Sequence, residues 1–139
     1  MNLPQSHKPL DREINILLLE DSNADKMLIE QELSHASLLH RMHHVSDRES
    51  FLQALAGKSP DIIISDVSLD DMNGMEFLKI VKASAKLKDV PMIMMSAKYI
   101  EPVDRVNALK AGAIAYYSKP FDVEKLCNEI KYYVRKKGK

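Results

Sequence analysis

A chain of 139 residues, 45% of them hydrophobic, has the material for one buried core and sits within the ~100–200 residues usual for a single domain. Its 20 basic and 20 acidic side chains cancel, which excludes a global attraction to nucleic acid, anionic lipid or a polyacidic substrate, so any charge-driven function must be local. One cysteine, Cys127, excludes an internal disulfide and suits a reducing cytosol.

The opening MNLPQSHKPLDRE lacks the apolar centre of a signal peptide, and no later apolar run approaches the ~20 residues that span a bilayer. The expectation is a soluble, cytoplasmic protein with no membrane partner. Pro4 and Pro9 make residues 1–12 a flexible tail, leaving the folded domain to 13–137.

From Ile14 two textures alternate. INILLLE is a near-continuous apolar run, as expected of a parallel strand buried on both faces, and ADKMLIEQELSHA is helically periodic. RMHHVS is the most polar strand and reads as an edge. His40, His43 and His44 raise the possibility of a metal, but His43 and His44 point to opposite faces of a strand and no carboxylate or cysteine completes a site; a partly solvated edge is preferred. The helix RESFLQALAG stops at Gly57, the strand DIIISD follows, and GMEFLKIVKASAKL carries apolar residues three and four apart, as at Phe77, Ile80 and Val81. Pro91 opens the strand PMIMMSA, whose Met92, Met94 and Met95 read as core filling. VDRVNALKAG ends on Gly112, AIAYYS is the fifth strand, and DVEKLCNEIKYYVRKK is the last helix, with Cys127 as a buried, inert thiol. The basic end VRKKGK favours the helix dipole and is not read as a nucleic-acid patch. Five strand–helix units in strict alternation predict an α/β fold, an open parallel sheet with right-handed crossovers and helices on both faces.

Ligands of such sheets bind beyond the carboxyl ends of the strands. There the first strand carries Glu20 and Asp21, the third Asp66, the fourth Ser96, and the fifth runs into Ser118-Lys119-Pro120. Carboxylates crowded on one rim repel one another unless a cation sits among them, and hard oxygen ligands suit Mg²⁺. With Lys119 as a second positive charge and Ser96 as a neutral donor, the set fits a phosphoryl group attached to one of the acids.

Glu20-Asp21, Asp66, Ser96-Ala97, Tyr116 and Lys119-Pro120, in this order on these strand ends, resemble the receiver domain of two-component response regulators. The resemblance runs from about Ile14 to Arg135 and implies a five-stranded, doubly wound, flavodoxin-like fold. It further implies that Asp66 is the phosphoacceptor and that Glu20, Asp21, Asp66 and the main-chain carbonyl of Ser68 hold Mg²⁺. Ser96 and Lys119 would bind phosphate oxygens, the Lys119-Pro120 bond would be cis, and Ser96 and Tyr116 would form the switch. Implied partners are a sensor histidine kinase or histidine phosphotransfer protein as phosphodonor and a downstream protein reading the face near 101–136. The chain is expected to act as a stand-alone, single-domain regulator and not as an enzyme on other substrates. Two positions depart from the family: Asp70 stands where a loop proline is usual, loosening the loop and adding charge, and Asn73 stands for the usual Asp before Gly74.

Taken singly, each residue has a plainer meaning. Glu20 to Asn23 can cap a helix, Asp66 can end a strand in a turn, Lys119 and Ser96 can be ordinary surface groups, and Tyr116 a fixed strand tyrosine. Their joint placement on four strand ends argues for a site. Alternatives are a haloacid dehalogenase-type phosphohydrolase, which wants a second Asp where this chain has Ser68, and a receiver-like binding module that is not phosphorylated.

Overall fold

The computed structural model describes residues 12–69 and 73–137; the expected tail up to residue 11, and Asp70 and Asp71 of the loop, lie outside the described residues. Five parallel strands, β1 (Ile14–Leu19), β2 (His40–Val45), β3 (Ile62–Asp66), β4 (Met92–Ser96) and β5 (Ala115–Ser118), form one sheet in the order β2-β1-β3-β4-β5. Five helices alternate with them: α1 (Asn23–His35), α2 (Arg48–Ala56), α3 (Gly74–Ala83), α4 (Pro102–Lys110) and α5 (Val123–Lys137). The order changes direction between β1 and β3, which opens a crevice at their carboxyl ends.

Strand periodicity divides the core in two. Ile16, Leu18, Ile62, Ile64, Ile93 and Met95 face one way, onto Ile29 and Leu33 of α1 and Leu126, Ile130 and Val134 of α5. Leu17, Leu19, Ile63, Met92 and Met94 face the other, onto Phe51 of α2, Phe77, Leu78 and Val81 of α3 and Ala108 of α4. Because each central strand feeds both layers, its sequence is apolar without alternation. β2 lies at the sheet edge as its polarity predicts, with Arg41 and His43 exposed. Cys127 is buried in the α1–α5 layer, and burial, followed by the charge of Glu32, pushes its thiol up to about 12. Among the described residues no helix is long and apolar enough to cross a membrane.

Helix starts follow local chemistry. Ser22, Asp47 and Asn73 cap α1, α2 and α3 by accepting from the main-chain N–H groups of Asp25, Ser50 and Met75. Two expectations are corrected. α3 ends at Ala83 and not at Leu87: Ser84 leaves the helix with ψ 125° and its Oγ accepts from Leu87 N–H at 3.2 Å, tying off a turn. The pair Asn73-Gly74 reads in the sequence as a turn whose glycine takes a positive φ before the helix, yet among the described glycines only Gly112 has one, at 114°. Gly74 is needed for clearance. A Cβ there would lie 2.2 Å from the Asp66 main-chain oxygen and 2.9 Å from Val67 Cα, and its N–H donates to Val67 O at 2.7 Å.

This close approach locks the start of α3 against the end of β3. Gly74→Ala is therefore expected to cost about 3 kcal/mol, the upper range for overpacking against backbone. Urea unfolding with unchanged slope and a lowered midpoint checks it; a loss below about 0.5 kcal/mol would show that the contact relaxes freely.

Candidate functional site

β1 and β3 are paired with Leu19 beside Ser65, so the next residues, Glu20 and Asp66, emerge side by side at the carboxyl edge. β4 and β5 are paired with Ser96 beside Ser118, and Lys119 N–H donates to Ser96 O at 2.8 Å, which turns the lysine back over the same edge. The Lys119-Pro120 peptide is cis.

The Lys119 ammonium sits among three carboxylates. Its Nζ is 2.8 and 3.0 Å from the two oxygens of Glu20, 2.8 Å from Asp66 Oδ2 and 2.9 Å from Asp25 Oδ2. Glu20 is 2% and Asp66 7% exposed, so these are charges removed from water, and each carboxylate is also held by main chain. Ser22 N–H donates to Glu20 Oε2 at 3.1 Å, and Ser68 N–H donates to Asp66 Oδ1 at 2.9 Å. His44, one residue before the end of β2, donates from Nε2 to the main-chain carbonyl of Glu20.

Burial, with the nearby charge of Asp66, pushes Glu20 up to about 7 against the pull of Lys119. Burial also acts to lower Lys119, but its hydrogen bonds to Asp66, Glu20 and Asp25 outweigh this and raise it. For a simple ion pair the two shifts disagree, since the lysine should lower its partner. An ammonium with three acceptors stays charged, whereas Glu20 is raised first by its burial and then by the adjacent charge of Asp66, which Lys119 offsets only in part.

That deficit is the test of fit for Mg²⁺. The donors are all oxygen and strongly acidic, an ammonium stands where a cation is required, and the buried Ser68 Oγ has no hydrogen-bond partner. Among the described residues no three His, Cys, Asp or Glu side chains form a ready cage. Asp21 lies at the exposed lip of the β1–α1 turn. The residues present fit Mg²⁺. The three histidines of β2 do not gather: His40 Nδ1 pairs with Leu38 O at 3.0 Å, and His44 is engaged with Glu20.

Ser96 is fully buried, and its Oγ accepts from the N–H groups of Lys98 (3.0 Å) and Tyr99 (2.8 Å). Its hydroxyl also meets the hydroxyl of Tyr116. Tyr116 is buried and its hydroxyl donates to the Tyr99 carbonyl, so serine and tyrosine grip the same loop. Burial raises the Tyr116 phenol, opposed by its hydrogen bond to Ser96. A cleft of about 200 Å³ lies beside the ring, lined by Val67, Asn73, Met75, Asp104 and Asn107. Of the residues singled out in the sequence, Glu20, Asp66 and Lys119 are in direct contact, Ser96 joins Lys119 through the main chain, and Tyr116 joins Ser96 through the loop at Tyr99. Asp25 was missed: an acid in the first turn of a helix reads as a dipole residue.

Comparison with known proteins identifies the family of the chain. The family model described as the response regulator receiver domain matches residues 16–131. The transcriptional regulatory protein GltR of Pseudomonas aeruginosa is 34% identical over 88% of this chain and 49% of its own length. The chain spans between 22% and 52% of the curated relatives it matches. The chemotaxis response regulator CheY4 of Vibrio cholerae superposes with a TM-score of 0.72 and 25% identity, covering 88% of this chain and 99% of the other. The receiver domain of the sensor histidine kinase PA1611 from Pseudomonas aeruginosa, solved with a magnesium ion in its active-site cleft, gives 0.73 and 26% over 88% and 98%. None of these matches supports the haloacid dehalogenase alternative. From the match over residues 16–131 and the acid, hydroxyl and lysine set on its strand ends, the chain belongs to the response regulator receiver domain family.

Proposed function

We propose that this domain, residues 13–137, is a phosphorylation switch in which Asp66 accepts a phosphoryl group and the change is read by another protein. The observation that carries the reading is the buried Asp66 carboxylate, fixed by Ser68 N–H on one oxygen and by Lys119 on the other. In the transfer, an Asp66 carboxylate oxygen forms a bond to phosphorus as the donor's bond to that phosphorus breaks, and the electron pair leaves with the donor. A histidine kinase or histidine phosphotransfer protein fits as donor, its phosphorus–nitrogen bond being the one that breaks.

Mg²⁺, held by Asp21, Asp66 and the Ser68 main-chain carbonyl with Glu20 beside it, would supply charge neutralisation for the phosphoryl oxygens. Lys119 and the Ser96 hydroxyl then contact those oxygens. The chain forms and hydrolyses its own acyl phosphate and does not turn over other phosphate esters. When Ser96 swings to donate to the phosphoryl group it releases its two main-chain donors at Lys98 and Tyr99, and the loop that Tyr116 also holds is free to shift. Beside that loop Ile100, Val103 and Val106 are 54%, 59% and 46% exposed. An apolar strip next to the switch supports a protein partner reading the face near 101–136.

Two outcomes are expected. Acetyl phosphate with Mg²⁺ adds one phosphoryl group to the parent, seen by intact mass, and none to Asp66→Asn; equal labelling of the variant would refute the assignment of the acceptor. Beryllofluoride with Mg²⁺ shifts amide resonances from the β4–α4 loop through α4 and β5, and Ser96→Ala removes most of that response while phosphorylation persists. Shifts confined to the surroundings of Asp66 would rule out the switch.

A further inference from the structure

An ammonium has three hydrogens, and Lys119 spends all three on Glu20, Asp66 and Asp25. The first two are the acids that the proposed function needs for a metal ion and a phosphoryl group. A divalent cation approaching Glu20 and Asp66 competes with the ammonium for the same two carboxylates. An ammonium left lodged there repels the incoming ion, and one driven out without a partner is a nearly buried, unpaired charge, Lys119 being 14% exposed.

Asp25 resolves this conflict. Its Oδ2 is already 2.9 Å from Nζ, its side chain is more open at 21% exposure, and it comes from α1, not from the strand ends that carry the acids. Its backbone is fixed, since Asp25 N–H donates to the Ser22 N-cap at 3.2 Å. Of the three carboxylates it alone belongs to neither the metal set nor the acceptor. Favourable charge in the first turn of α1 accounts for an acid at this position, but not for its hydrogen bond to a lysine that follows β5.

We propose that Asp25 is a positioning residue that retains the Lys119 ammonium while Glu20 and Asp66 are given up to the metal ion. Resting on the functional reading above, the inference adds a regulated hand-over of one lysine between two sets of acids. Asp25 acts through Lys119 and does not touch the ion.

A double-mutant cycle tests it with Mg²⁺ as the probe, followed by amide NMR titration at constant ionic strength, each variant first checked for a dispersed, folded spectrum. Asp25→Asn is expected to weaken Mg²⁺ binding by roughly tenfold, the coupling usual within one ion-pair network, and Asp25→Glu to recover most of it. With Lys119→Met in place, adding Asp25→Asn should change the affinity by less than about twofold. Lys119→Gln serves if the Met variant does not fold. An Asp25→Asn effect that is as large without Lys119 would mean that Asp25 acts on the ion itself, and no effect in the parent would mean that it does nothing for the exchange; either overturns the proposal. A parent that does not bind Mg²⁺ refutes the metal assignment, and the inference falls with it.

Discussion

The carboxyl edge of the sheet is organised by one ammonium held among three acids. Removing two carboxylates from water beside each other is unfavourable, and Lys119 makes it tolerable by giving each a hydrogen bond and a counter-charge. Everything nearby serves to keep these groups in register: the pairing of β1 with β3 sets the acids side by side, the turn after β5 returns the lysine, and main-chain N–H groups of Ser22 and Ser68 fix the carboxylate planes. The arrangement satisfies charge only partly. Burial and the charge of Asp66 still hold Glu20 above the usual carboxylate range, and a more highly charged cation would relieve that.

From this cluster a short mechanical path leads outward. Ser96 is the neighbour of Lys119 through the main chain and the anchor of the β4–α4 loop through its side chain. Tyr116 holds that loop from β5, and α4 begins directly after it under its own capping box of Glu101 and Asp104. Under the proposed function, a rotation of the Ser96 side chain toward a phosphoryl oxygen would move its Oγ away from the Lys98 and Tyr99 N–H groups, giving the two positions that a population shift requires. Its neighbours need move only as far as one loop can slide.

Much of this was legible in the sequence because parallel sheets leave few choices. Ile62, Ile63 and Ile64 are buried in alternate layers, so the middle of the strand had to be apolar, and the charged Asp66 that ends it had to lie at the carboxyl edge. The same logic exposes Glu20, Ser96 and Lys119. What stayed hidden depends on contacts between elements. Asp25 is one of several acids suited to a helix start, and only the fold brings it to Lys119. His44 reaches the Glu20 carbonyl because β2 pairs with Leu18 beside His44, a register that polarity alone does not fix. Gly74 signalled a turn, but the clearance it provides is against the Asp66 main chain across the loop. Ser84 cut α3 short through a bond no periodicity records.

The polar edge strand has a consequence for how such a domain meets others. β2 presents Arg41 and His43 to solvent along the open side of the sheet, and charged side chains there make strand-to-strand addition unfavourable. The apolar surface that remains accessible lies mainly on helices, in Met27 and Leu28 of α1, Val103 and Val106 of α4 and Tyr132 of α5. Docking on those helix faces would use side chains and be reversible, whereas the β2 edge disfavours the backbone pairing that propagates into aggregates.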